Sequence, residues 1–161
     1  MPDMLVNLYN LPETYSAEWL KEKGVHVARA LTPDKHKIEN FVREKFNESW
    51  ASEAAVALSK VNPTIFVATK DNEIVGFACY DATAKGYFGP TGVDPEFRGL
   101  GIGTALLMKC LLSMRDEGYG YAIIGGAGPT EYYEKVCGAM MIPSTDKGIY
   151  KRLVHYHGKF D

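Results

Sequence analysis

The sequence predicts an α/β fold of the α+β type, in which helices flank a mixed, mostly antiparallel central sheet of six to seven strands. Three observations lead there. Two β-branched and aromatic runs, over 64–69 and 73–80, are joined across Asp71-Asn72, residues that tolerate positive φ, as in a tight antiparallel hairpin. Before that hairpin, apolar residues recur at three- and four-residue steps: Ile38, Phe41, Val42 and Phe46, then Trp50, Ala54, Ala57, Leu58 and Val61. Such spacing gives two helices with one apolar face each. After the hairpin, a strand ending at Val93, an apolar helix from Ile102 and a second strand over 119–124 form a crossover. The two strands of that unit are therefore parallel, and its helix covers one face of the sheet.

The remaining elements follow in order. Residues 1–23 read as an extended lead-in and a short helix stopped by Gly24. Loose alternation over 25–31 gives a strand, and Thr32-Pro33-Asp34 starts the first long helix with proline at its first position. The strand over 86–93 contains Pro90, which has no N–H for a ladder; a bulge that exposes backbone groups and simple edge protection both account for it. The helix from Ile102 ends at Gly118. Past the flexible turn at 125–129, Thr130 caps a short helix with Tyr132, Tyr133 and Val136, which stops before Gly138. Residues 139–142 and 148–154 are expected as a last pair of strands. At 161 residues, one domain spanning 1–161 is expected.

Composition narrows the function classes. Hydrophobic residues at 46% and charged residues at 24% are ordinary globular values, and the net charge of -2 comes without a long lysine or arginine run, which disfavours nucleic acid as a partner. No apolar stretch approaches the roughly 20 residues of a membrane helix, and the N-terminus lacks a basic-then-apolar layout, so no membrane and a cytoplasmic location are expected. Cys79, Cys110 and Cys137 show no CxxC spacing and read as reduced core thiols. His26, His36, His155 and His157 show no ligand spacing on a helix, so no metal is expected.

One stretch stands apart from this ordinary background. Thr91-Gly92-Val93 closes a strand, Asp94-Pro95 turns the chain, and Arg98-Gly99-Leu100-Gly101-Ile102-Gly103-Thr104 leads into a helix. The first N–H groups of a helix lack intrahelical partners and the dipole places partial positive charge there, so anions bind well at that end. Glycines let the backbone approach a bulky ligand, and arginine adds a planar charged contact. A glycine-rich turn that binds nothing is the plain alternative, but three glycines beside a basic residue exceed what a turn requires. The spacing fits neither Gly-x-Gly-x-x-Gly nor a loop ending Gly-Lys-Ser/Thr, since Gly103 is followed directly by Thr104.

Val93-Asp-Pro95-Glu-Phe-Arg98-Gly-Leu-Gly101-Ile-Gly103-Thr-Ala-Leu resembles the acetyl-CoA signature of the GCN5-related N-acetyltransferase (GNAT) superfamily, Arg/Gln-x-x-Gly-x-Gly/Ala, with Arg98, Gly101 and Gly103 as direct matches. The resemblance implies the GNAT fold and acetyl-CoA as cosubstrate. It implies that the loop amides grip the pyrophosphate, that the strand edge at Thr91, Gly92 and Val93 pairs with the pantetheine arm, and that a bulge interrupts this strand. Tyr133 stands in Tyr-Tyr-Glu-Lys-Val-Cys-Gly-Ala, similar to the family's Tyr-Glu-Lys-x-Gly-Phe segment, whose tyrosine acts as general acid to the departing sulfur. Two departures are an extra residue before Gly138 and Gly126 at the position where the family often has asparagine.

Acetyl transfer to an amine also requires an unprotonated amine. No carboxylate lies within 86–92, where many relatives draw their base, and Asp81 is the remaining guess, with a solvated turn carboxylate as the more ordinary role. Direct attack in a ternary complex is expected, because no histidine neighbours any cysteine in sequence to activate it. The resemblance points to 47–50, Tyr87, Phe88 and 144–148 for the acceptor, a small-molecule, amino-sugar or peptide amine, and a homodimer stays open. Tyr132 and Tyr133 as core residues, and Trp50 as core packing, are the structural alternatives. A non-catalytic acyl-CoA sensor is the second functional reading and a nucleotide-triphosphate enzyme the third.

Overall fold

The computed structural model describes residues 1–154; His155 and His157 lie outside the described residues. The elements are β1 (Met4–Asn7), α1 (Glu18–Lys21), β2 (Val25–Arg29), α2 (Lys35–Lys45), α3 (Glu48–Leu58), β3 (Ile65–Lys70), β4 (Glu73–Tyr80), β5 (Tyr87–Val93), α4 (Ile102–Asp116), β6 (Tyr121–Ile124), α5 (Thr130–Cys137) and β7 (Met140–Met141). One sheet has the order β2-β3-β4-β5-β6-β1-β7, antiparallel throughout except for the β5–β6 pair. Asp71 and Asn72 both take positive φ, 51° and 64°, so the β3–β4 hairpin turns as its sequence predicts.

Strand β4 shows why its sequence is a continuous apolar run. Alternate side chains enter opposite layers: Ala78 and Tyr80 join the cluster under α4, with Ile102, Leu106 and Leu111, while Phe77 and Cys79 join Ile38, Val42, Ala54 and Leu58 of α2 and α3. Helices therefore cover both faces of the sheet centre, and neither face of β4 can be polar. The small residues Ala51, Ala54 and Ala57 let α3 lie close to the sheet.

Four expectations change. The lead-in contains a true strand: β1 pairs with β6 on one side and β7 on the other, contacts across more than a hundred residues that local patterning cannot reveal. Residues 148–152 form a 3-10 turn rather than a strand, and the sheet ends at the two-residue β7. Val61 lies beyond the end of α3 and is fully exposed, so the apolar face stops at Leu58. Thr130 is the first residue of α5 rather than its cap; Pro129 holds the cap position without a side-chain hydrogen bond.

The decisive departure from a regular sheet is in β5. Ala78 pairs with Thr91 and Tyr80 with Phe88, so Cys79 faces both Gly89 and Pro90, a bulge of two residues against one. On its other side β5 meets β6 only at Tyr87↔Ile123 and Phe88↔Ile124. Beyond Phe88 the parallel strands part, and among the described residues the edge of β5 through Val93 has no strand partner on that side. The bulge reading of Pro90 therefore accounts for this strand, which is interior to the sheet and not at its edge.

The chain leaves β5 through a short turn anchored by Asp94. Its Oδ1 accepts from the Glu96 amide at 3.0 Å and its Oδ2 lies 3.3 Å from Lys45 Nζ. These contacts, the amide first, hold its carboxyl below the usual aspartate range. Replacing Asp94 with alanine is expected to cost about 0.5–2 kcal/mol in urea denaturation near neutral pH. A lowered folded pKa means the contribution is present above the unfolded value of about 3.9 and is lost as pH falls through the folded one. Wild type and Asp94→Ala should therefore converge in stability in acid.

Candidate functional site

Where β5 and β6 part, two cavities open side by side. The larger, about 510 Å³, runs from the exposed edge of β5 to the start of α4 and takes in Thr91, Gly92, Val93, Arg98, Gly99, Gly101, Ile102, Gly103 and Thr104. Nine of the ten residues singled out in sequence for ligand binding thus border one space. Leu100 is the exception: it packs on the core beneath the loop, because an apolar side chain between two glycines gains more from burial than from facing solvent.

The loop has the features of an anion cradle. Gly101, at the cap position of α4, takes φ 84°, and neither a side-chain cap nor an acidic first-turn residue competes for the opening amides. Arg98 is exposed and its Nε donates to the Val93 carbonyl at 3.3 Å, which ties the guanidinium to the end of β5. Thr104 Oγ1 lies 2.6 Å from the Tyr132 hydroxyl, joining α4 to α5 across the cavity. Two glycines are needed for packing as well. A Cβ on Gly92 would stand 2.4 Å from the Phe46 ring, and one on Gly101 would stand 2.3 Å from the Trp19 ring. Aromatic side chains from distant segments therefore close over a backbone that carries no side chains there. Uncapped amides, an adjacent arginine and an unpaired strand edge fit a long ligand with a phosphate group at one end and amides along its length.

The second cavity, about 310 Å³, lies on the other side of the β5 bulge. Trp50 and Phe88 border it, as the resemblance implied, and Trp50 also packs on Phe46 and Phe77 with ring centroids 5.2 and 6.2 Å away, so it serves core and cavity together. The other acceptor-side expectations do not reach the cavity wall. Asn47 caps α3 by accepting from the Trp50 amide at 2.8 Å, Tyr87 packs where a Cβ on Gly125 would be, and Gly148 sits against the Asp3 carboxylate. Asp81 is occupied elsewhere: Oδ1 accepts from the Gly86 amide and Oδ2 from the Tyr119 hydroxyl, both at 2.7 Å. Sequence reasoning missed Glu53 and Tyr150. Glu53 sits on the α3 face toward the cavity, accepts from Thr83, and burial raises its pKa. Its position four residues before Ala57 on the buried side of α3 was the available signal.

Tyr133 borders both cavities, together with Phe88, Thr91 and Pro129. Its side chain is 8% exposed, and burial, then its neighbours Tyr132 and Cys137, push its pKa up to about 12. Tyr132 is the tyrosine whose hydroxyl is held locally. The three cysteines are buried, and burial raises each thiol, Cys137 to about 11; none borders either cavity. Among the described residues no cluster of His, Cys, Asp and Glu could hold a metal, and no helix is long and apolar enough to cross a membrane.

The family model for the GNAT acetyltransferases matches residues 27–139. The chain belongs to that family. The matched span contains the loop and Tyr133. No curated protein matches the sequence. Among solved structures, the glucosamine N-acetyltransferase region of a fungal multi-domain β-N-acetylglucosaminidase aligns with TM-score 0.71 at 12% identity, covering 88% of this chain and 19% of that one. A GCN5-related N-acetyltransferase from Sphaerobacter thermophilus aligns with TM-score 0.66 at 20% identity, over 88% of this chain and 48% of its own. A GNAT acetyltransferase from Brucella melitensis, solved with acetyl-CoA, aligns with TM-score 0.54 at 21% identity, over 76% and 93%. These identities carry the fold alone, and the chain spans less than half the length of the first two.

Gly101→Ala should be destabilised by the left-handed backbone, about 1–2 kcal/mol, and further by the Trp19 ring, and should bind CoA more weakly in calorimetry. In a Trp19→Ala background only the backbone part should remain. Equal costs in both backgrounds, measured by urea denaturation, would exclude the ring contact.

Proposed function

We propose that the protein transfers the acetyl group of acetyl-CoA to a primary amine of a small molecule by direct attack in a ternary complex, with Tyr133 donating a proton to the departing sulfur. The observation that carries this reading is the shared wall: one buried tyrosine borders both the cavity of the anion loop and the smaller cavity beside it. When bound, acetyl-CoA supplies an acyl group activated by its thiol leaving group. The chain's own groups then divide the work. Amides at the start of α4 and Arg98 hold phosphate oxygens. The open edge of β5 at Thr91, Gly92 and Val93 offers N–H and C=O groups to the amides of the pantetheine arm, in the manner of an added strand.

Tyr133 holds its proton firmly. With a pKa of about 12 it is neutral across the physiological range, and it gives up the proton only as negative charge builds on the adjacent sulfur. A volume of about 310 Å³ is at the small end of ligand pockets, which favours a compact amine over a peptide. The three cysteines, buried away from both cavities, favour direct attack over a covalent acyl-enzyme.

Tyr133→Phe should lower kcat by about 10²–10⁴-fold in a thiol-release assay, with CoA binding retained. Unchanged turnover would remove Tyr133 from the chemistry. Since a raised tyrosine pKa leaves the hydroxyl protonated until pH approaches 12, wild-type kcat should show no tyrosine-dependent fall over about pH 6–10.

A further inference from the structure

We propose that Glu53 is the acceptor-side base, its carboxylate pairing in the 310 Å³ cavity with the ammonium of a small aliphatic amine and taking the proton that must leave before attack. This inference rests on the acetyltransferase reading above. The cavity wall is aromatic and glycine-rich, with Trp50, Phe88, Tyr133 and Tyr150 among its side chains; among the described residues Glu53 is the one carboxylate in it, and no lysine or arginine borders the space. Met1 also borders it, and its terminal ammonium is paired with Asp146 at 3.2 Å. A half-buried carboxylate is costly unless a cation accompanies it. Among the described residues none of the ion pairs involves Glu53. A cationic amine is the ligand that completes such a site, and aromatic faces stabilise an ammonium further.

The carboxylate is positioned rather than loose. Thr83 donates to Glu53 Oε1, and Thr83 is in turn hydrogen-bonded to Tyr150, so α3, the loop after β4 and the C-terminal turn converge on one group. The titratable groups facing it are Tyr150 and, from β4, Cys79, both of which burial keeps protonated. Burial raises the Glu53 pKa toward that of the proton it must accept, which improves it as a base. Asp81, the alternative carboxylate, has both oxygens engaged by Gly86 and Tyr119.

The proton count closes. One ammonium proton passes to Glu53 and on to solvent, and the amine lone pair forms the C–N bond as the C–S bond breaks. Tyr133 protonates the sulfur, and the second nitrogen proton, lost as the amide forms, restores Tyr133. The products are the acetamide, the free thiol and one released proton.

Glu53→Gln tests this with thiol release from acetyl-CoA over a panel of 1,4-diaminobutane, glucosamine and benzylamine, which are mostly protonated near neutral pH, and aniline, which is not. At neutral pH kcat/KM for the protonated amines should fall by about 10²-fold or more, while any rate with aniline changes little. The rate of the Glu53→Gln variant should climb with pH as free amine appears, and its CoA affinity by calorimetry should be unchanged. Removal of a charge that is buried at cost should also leave the variant no less stable: with a raised folded pKa the penalty on folding builds as pH rises from the unfolded value of about 4.3 through the folded one, so Glu53→Gln should gain relative stability above that range and not in acid. Wild-type turnover with Glu53→Gln turnover undiminished would overturn the proposal alone, as would an equal loss for aniline. No thiol release by wild type with any amine would overturn the acetyltransferase reading beneath it.

Discussion

Strands β5 and β6 share only two residue pairs before they part, and the site depends on that short contact. A parallel pair in mid-sheet ordinarily continues along its length, since each further pair satisfies two more backbone groups. Here the bulge at Gly89 and Pro90 adds local twist to β5, and proline offers no N–H, so both features work against continued pairing. The α4 layer and the α2–α3 layer clamp β4 from both faces, which keeps the sheet whole on one side of the gap. The β1 strand pairs with β6 and does the same on the other. A rigid frame with one planned opening is the result.

The walls of the opening differ from one side to the other. On the β5-to-α4 side the lining is backbone: an open strand edge and glycines whose missing Cβ atoms leave room for Phe46 and Trp19 to pack behind them. Such a surface offers amides and is suited to phosphate and to an extended chain of amide groups. Past the bulge the lining becomes aromatic, with the Glu53 carboxylate braced by Thr83. That surface is suited to an amine. Tyr133 stands on the boundary between the two, buried and with its hydroxyl proton held firmly.

Legibility followed the range of the interactions involved. The hairpin at Asp71-Asn72, the two early helices and the loop into α4 depend on residues close together in the chain, the crossover follows from the order of its strand, helix and strand, and all are present where the pattern puts them. The strand β1, the 3-10 turn over 148–152 and the end of the α3 face at Leu58 depend on partners elsewhere in the chain, and there the pattern misled. Likewise Leu100 matched a ligand loop in sequence and proved to be its apolar anchor.

By itself, then, the sequence determined the family-level fold and the glycine-rich loop into α4, because glycine conformation, helix-start amides and strand-to-helix order are local properties written in consecutive residues. Only the tertiary structure decided what faces the smaller cavity. Glu53, Thr83 and Tyr150 lie on three separate segments, and Asp81, the carboxylate between β4 and β5, has its oxygens committed to Gly86 and Tyr119. A carboxylate's availability depends on which groups fold against it, and no spacing rule along the chain encodes that.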